Sequence, residues 1–137
     1  MDYSKFKKAL QLLEEQNNRL NSISNDYEEW VNIALKESII QRFETCWDCL
    51  WKILKRYLEH EIGLAEVPNG PKPLLRLADE NYLLPSPISK WIEYNRVRIS
   101  TSHDYSGEKA ADALEIIDDF VQDSIDLYKT LSKENWE

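Results

Sequence analysis

Ile39-Ile40-Gln41-Arg42-Phe43-Glu44-Thr45-Cys46-Trp47-Asp48-Cys49-Leu50-Trp51-Lys52-Ile53-Leu54-Lys55-Arg56-Tyr57-Leu58 is the stretch that decides the fold. Phe43, Trp47, Leu50, Leu54, Tyr57 and Leu58 recur at steps of three and four, the repeat of one helix face. Ile39, Cys46, Trp51 and Ile53 widen that face into a broad arc. A helix with so wide an apolar arc needs neighbours on more than one side. The segment therefore predicts a long central helix from about Glu28 to Glu61, ended by Gly63.

Working outward, Phe6, Leu10, Leu13 and Leu20 mark one face of a first helix, from about Tyr3 to Ile23. Ser24-Asn25-Asp26 then offers short polar side chains for a helix stop and the next N-cap. On the other side, Pro68-Asn69-Gly70-Pro71 is a turn-rich break. Pro73 suits the first turn of a short third helix carrying Leu74, Leu75, Leu77 and Ala78. Pro85-Ser86-Pro87 opens a fourth helix with Ile88, Trp91, Ile92 and Val97, reaching its end near Ser102. After Ser106-Gly107 a last helix begins, with Glu108 in its first turn, where a carboxylate complements the helix dipole. Its buried stripe is Ala110, Ala113, Leu114, Ile117, Phe120, Val121, Ile125, Tyr128 and Leu131. No alternating run argues for a strand. The expected fold is all-α: an up-down bundle of the first, second, fourth and fifth helices, with the short third helix in the connection.

With 137 residues, 42% of them hydrophobic, the chain has the length for one domain over residues 1–137 and not for two. The formal charge of -8 is the wrong sign for gripping nucleic acid over a broad face, and DNA binding is not expected. From Asp104 onward there are ten acids against three lysines, so the acidity sits mainly in the last helix. The earlier residues are close to neutral and leave room for an anionic ligand. The opening Met1-Asp2-Tyr3-Ser4-Lys5 is not a signal peptide, and no apolar run approaches the length of a membrane span, so the expected location is the cytoplasm, away from the membrane. Cys46 and Cys49 form a lone Cys-x2-Cys in a helical pattern with no second cluster to complete a metal site. They read as small thiols on one helix face, with a redox switch as the alternative. Neither a metal nor another cofactor is expected.

Chemistry concentrates in Arg98-Ile99-Ser100-Thr101-Ser102-His103-Asp104-Tyr105. Of the two histidines in the chain, His103 stands here and His60 at the acidic end of the second helix. A histidine titrates near neutrality and an arginine presents a planar fork of donors to phosphate oxygens. In a continuous helix Arg98 and His103 stand about 140° apart, so the helix must end between them or the two act from different subunits. Ser100, Thr101 and Ser102 favour an ending, because hydroxyls compete for the carbonyls of a last turn. Ser102 can share a face with Arg98, Asn95 adds an amide one turn earlier, and Arg96 adds charge although it points another way. The plainer alternative has His103 capping the helix, Arg98 paired with Glu93 or Asp104, and Tyr105 packed. Lys52, Lys55 and Arg56 form a basic strip, either a solvated face or an anion-binding one.

The Arg98-x4-His103-x-Tyr105 pattern resembles the signature of the HEPN superfamily, and within it the HepT-type toxins and nucleotidyltransferase substrate-binding proteins. The resemblance extends to Ile40-Gln41-Arg42-Phe43-Glu44 and Trp51 to Leu58 as the family's long helix, and to Gly70 to Ala78 as its short third helix. It implies a homodimer with the motifs facing each other, partnered by a cognate minimal nucleotidyltransferase. It also implies a metal-independent endoribonuclease with Arg98 and His103 catalytic, silenced when the partner transfers AMP to Tyr105 in a toxin–antitoxin arrangement. Asn95, Arg96 and Ser102 are then supporting contacts to RNA or phosphate. Many members carry a polar residue after the arginine, and here Ile99 takes that place. Ile99 and the acidic composition weigh toward the alternative, a non-catalytic substrate-binding subunit of a two-component nucleotidyltransferase. Five Trp and seven Tyr in so small a domain also argue for an interface that covers aromatic surface.

Overall fold

Apolar residues at helical spacing produce five helices: α1 Ser4–Ser22, α2 Glu29–His60, α3 Pro71–Glu80, α4 Ile88–Thr101 and α5 Gly107–Ser132. The computed structural model describes residues 1–23, 28–101 and 107–136, and no strand occurs among the described residues. At 1.5 Å per residue the 32 residues of α2 extend about 48 Å. α2 packs against each of the other four helices, as its broad arc requires. α1 and α4 both pack on α5 as well, while α3 leans on α2 and α4. The four long helices are the expected bundle, and α3 lies in the connection between α2 and α4.

The core follows the stripes. Ile39, Phe43, Cys46, Trp47, Leu50, Leu54 and Leu58 of α2 are buried against Phe6, Leu10 and Leu13 of α1 and Ala113, Ile117, Phe120 and Tyr128 of α5. Phe120 is the hub. Its ring meets Phe43 edge-on at 4.9 Å between centroids and Tyr94 at 5.2 Å, the geometry that aromatic quadrupoles prefer. Polar ties fix the register of the helices. The Asn17 amide donates to Asp118 Oδ1 at 2.7 Å, joining α1 to α5, and Arg42 Nη1 donates to the Leu12 carbonyl at 2.7 Å, joining α2 to α1.

Helix ends are set by local chemistry. Gly63 takes φ +82°, and the Leu64 N–H returns to the Leu58 carbonyl at 3.0 Å, which closes α2 with the left-handed turn that glycine adopts at little cost. Gly70 precedes Pro71 at the first position of α3, where a missing N–H does no harm. The expected N-cap segment of α2 is different: Ser24, Asn25 and Asp26 lie outside the described residues. Glu28 stands at the cap position with extended backbone and no side-chain cap bond. The first ten residues of α2, 29–38, contain no buried side chain, and Trp30 and Ile33 are exposed there.

Candidate functional site

α4 is held by its buried face, Trp91, Tyr94, Val97 and Thr101, and this sets the direction of Arg98 in its last turn. The guanidinium crosses to α2. Nη1 donates to Glu44 Oε2 at 2.9 Å and Nη2 to Asp48 Oδ2 at 3.2 Å, two acids one helical turn apart. Glu44 is nearly buried, its side chain 10% exposed, and Arg98 is 23% exposed. The Thr101 hydroxyl proton lies within reach of both Glu44 Oε2 and the Arg98 carbonyl, each at 3.1 Å. A hydroxyl competing for a carbonyl of this last turn is what the Ser-Thr-Ser run led us to expect. Arg98 Nε is shut off from solvent without a partner among the described residues.

Asn95 and Arg98 come together: both line a cleft of about 540 Å³ between α2, α4 and the first turn of α3. Trp47, Asp48 and Trp51 of α2, Ile99 of α4, and Gly70 to Pro73 complete its lining. Arg96 goes elsewhere. Its guanidinium grips Glu93 at 2.5 Å on an exposed face, so Glu93, which the plainer sequence alternative paired with Arg98, is engaged by Arg96. Ile99 is 57% exposed at the rim of the cleft. Ser102, His103 and Tyr105 lie outside the described residues, as does Asp104.

Glu44 and Asp48 are site residues that the sequence reading did not single out, and Thr101, expected only to loosen the last turn, joins them through Glu44. The signal was present: Glu44 sits between Phe43 and Cys46 in the apolar arc of α2, where a lone acid needs a cation from a neighbouring helix. The basic strip divides. Lys55 reaches Glu59 at 3.9 Å, whereas Lys52 and Arg56 line a separate pocket of about 290 Å³ with Lys5 and Cys49. Cys46 is buried, Cys49 half-buried, and burial pushes both thiols above the ordinary range. Among the described residues no group of three or more His, Cys, Asp or Glu is placed to hold a metal ion. Nor is any helix among them long and apolar enough to cross a membrane.

Similarity to known proteins places this all-helical bundle, with its arginine anchored at the end of α4, among HEPN-like proteins of the HepT type. Residues 1–133 match the model of the family described as nucleotidyltransferase substrate binding protein like, and the chain belongs to that family. It is 36% identical over 107 residues to the probable ribonuclease HepT of Haemophilus influenzae, covering 77% of this chain and 73% of that protein. A solved Haemophilus influenzae structure, described as the fold of a substrate binding domain of a nucleotidyltransferase, is similar with a TM-score of 0.82 and 29% identity over 96% of this chain and 99% of that one. A crystal structure of a Thermus thermophilus protein is similar with a TM-score of 0.76 and 27% identity, covering 92% of this chain and 98% of its own.

Proposed function

We propose that this chain, as one domain over residues 1–137, is a HEPN toxin-like endoribonuclease that needs no metal. In this reading it acts as a homodimer in the cytoplasm and is controlled by a cognate minimal nucleotidyltransferase that transfers AMP to Tyr105. One observation carries the reading: Arg98 is braced by Glu44 and Asp48 at the end of α4, five positions before His103, in a chain similar to a probable ribonuclease. His103 takes the proton of the RNA 2′-hydroxyl as its oxygen attacks phosphorus, and Arg98 offsets the charge that builds on the phosphoryl oxygens. A second His103, from the dimer partner, protonates the departing 5′-oxygen. Asn95 and Ser102 are supporting contacts in this scheme, and Arg96 contributes only through the general field around the site.

Cleavage of a labelled RNA that persists in EDTA and disappears in His103→Ala supports the reading. Activity that survives His103→Ala removes the mechanism.

A second reading has its own support. Ile99 presents an exposed apolar side chain beside the arginine, and two carboxylates already answer the guanidinium charge. Both favour a non-catalytic subunit that holds the substrate of a partner nucleotidyltransferase. Complete absence of RNA cleavage by the clean wild-type protein, together with stable binding of the partner, selects this alternative.

A further inference from the structure

The cleft beside Arg98 has properties that phosphate chemistry does not use. Its lining is mainly apolar, and Trp47 and Trp51 contribute two aromatic side chains. Asn95 is only 7% exposed and lines the same cleft. Its carboxamide sets a donor and an acceptor side by side in an otherwise mainly apolar wall, where the polar edge of a ligand can meet both. The first turn of α3 is a poor anion site. Pro71 and Pro73 have no N–H, and the Leu74 N–H is taken by the Gly70 carbonyl at 3.2 Å. Lys72 is the one cation that this end adds to the cleft.

An aromatic wall with a single amide aimed into an apolar cleft suits a flat ring that carries a donor and an acceptor side by side. Nucleobases are such rings, and proteins read unstacked RNA bases by aromatic stacking and edge hydrogen bonds. Adenine presents adjacent donor and acceptor on both of its free edges, N6 with N1 and N6 with N7, and a carboxamide matches either. About 540 Å³ is ample for one nucleoside. Asn95 stands one helical turn before Arg98, about 5–6 Å between Cβ atoms, a span that a nucleotide bridges between base and phosphate.

We propose that this cleft binds the adenine base of a nucleotide, stacked against Trp51 and read by the Asn95 carboxamide, with its phosphate turned toward Arg98. The proposal deepens the ribonuclease reading, on which it rests for the phosphate, by naming the base beside the scissile bond.

Binding tests it without cleavage. Adenosine, cytidine, guanosine and uridine 3′-monophosphates are titrated by calorimetry against the full-length wild-type protein, Asn95→Leu and Trp51→Leu. Wild type should favour the adenosine nucleotide by about tenfold, the worth of one good amide–base contact, and Asn95→Leu should level that preference. Trp51→Leu should weaken all four ligands together, because stacking serves every base. Circular dichroism and the urea midpoint of each variant establish folding, and Asn95→Asp, close in shape and unable to donate from its ionised carboxylate, serves if the leucine variant is unstable. Adenine selectivity in a protein that never cleaves RNA would keep the cleft and sink the ribonuclease reading. RNA cleavage indifferent to adenine and to Asn95 would do the reverse. No detectable nucleotide binding overturns the proposal, and so does a dimer that loosens in Trp51→Leu and ignores nucleotides, which would give the cleft to a second copy of the chain.

Discussion

Arg98 of α4 and Glu44 of α2 meet at 2.9 Å, Nη1 to Oε2, with both side chains largely withdrawn from water. The arginine proposed to act on the phosphate is therefore also a structural tie between two bundle helices. Such a cation cannot be removed cleanly, since its loss takes the guanidinium away from a nearly buried carboxylate.

Arg98→Ala should consequently cost stability as well as function. Breaking a buried pair from one side costs about 3 to 5 kcal/mol, and the partial exposure of this one places the expected loss near the lower bound, about 3 kcal/mol. Glu44→Gln, which keeps the shape and a hydrogen-bonding oxygen, should lose clearly less. Urea denaturation of the two variants checks this. Equal losses would show that the pair does not carry the contact. Any activity assay on Arg98→Ala then needs Arg98→Lys beside it, because lysine keeps the charge and gives up the fork.

Tyr94 supplies a second test, through pH. Its hydroxyl donates to Asp123 Oδ2 at 2.5 Å, and burial, followed by that bond, holds the phenol well above its ordinary range. The folded protein thus favours the neutral phenol, so stability is unaffected below about pH 10, where a free tyrosine begins to ionise, and falls as pH rises beyond it. Tyr94→Phe should cost about 1 kcal/mol near neutrality. Lys90, at 3.5 Å, still accompanies Asp123. The variant should also flatten the alkaline decline. Thermal melts between pH 8 and 11 decide it, and identical slopes for the two proteins would assign the decline to other groups, such as Tyr3 and Tyr128, whose phenols are also raised by burial.

Periodicity made the helices legible, because a stripe at three and four residues has one geometric meaning and the core merely fills it. The rule carried α2 to its central place, and it identified Phe120 and Tyr128 as core. Partners across helices were less legible. That Arg98 reaches Glu44 and Asp48, 54 and 50 residues away, depends on the rotation of α4 against α2, which side-chain packing fixes and local spacing does not. The chain's own core takes up much of the aromatic count. Trp47, Trp91, Tyr94 and Tyr128 are fully absorbed by the chain's own core, and the aromatics well exposed among the described residues are Trp30 and Tyr82. The cleft was invisible for a similar reason: it joins Asn95 to a turn of α3 that stands more than twenty residues earlier in sequence.

Ile99 is the clearest place to alter activity without altering the fold. It is more than half exposed, so Ile99→Asn should change stability by no more than about 0.5 kcal/mol. If the protein cleaves RNA, a polar group beside Arg98 should raise the rate, since an amide adds a donor where charge develops on the phosphoryl oxygens. Single-turnover cleavage by the folded variant checks this, and an unchanged or lower rate would show that Ile99 is not what limits the site.

Tyr105 is the residue at which catalysis and control are proposed to converge. A phenol attacks the α-phosphorus of ATP once a nearby base takes its proton, releasing pyrophosphate and leaving AMP on the oxygen. The attached nucleotide brings a negative charge and bulk to the neighbourhood of Arg98 and His103 and repels RNA. Incubation with the cognate nucleotidyltransferase, ATP and Mg²⁺ should add one or more AMP units, read as mass increments, and abolish RNA cleavage, while Tyr105→Phe should take up none. Competing acceptors separate by their surroundings. Tyr94 is buried, and its proton is held by Asp123; Tyr128 is buried beneath Trp136 and donates to Glu134 at 2.8 Å, which leaves neither ready to attack. Tyr82, 94% exposed, is the open competitor among the described tyrosines. Peptide mapping that placed the AMP on Tyr82, with Tyr105→Phe still labelled, would move the modification to the end of α3 and remove the proposed means of control.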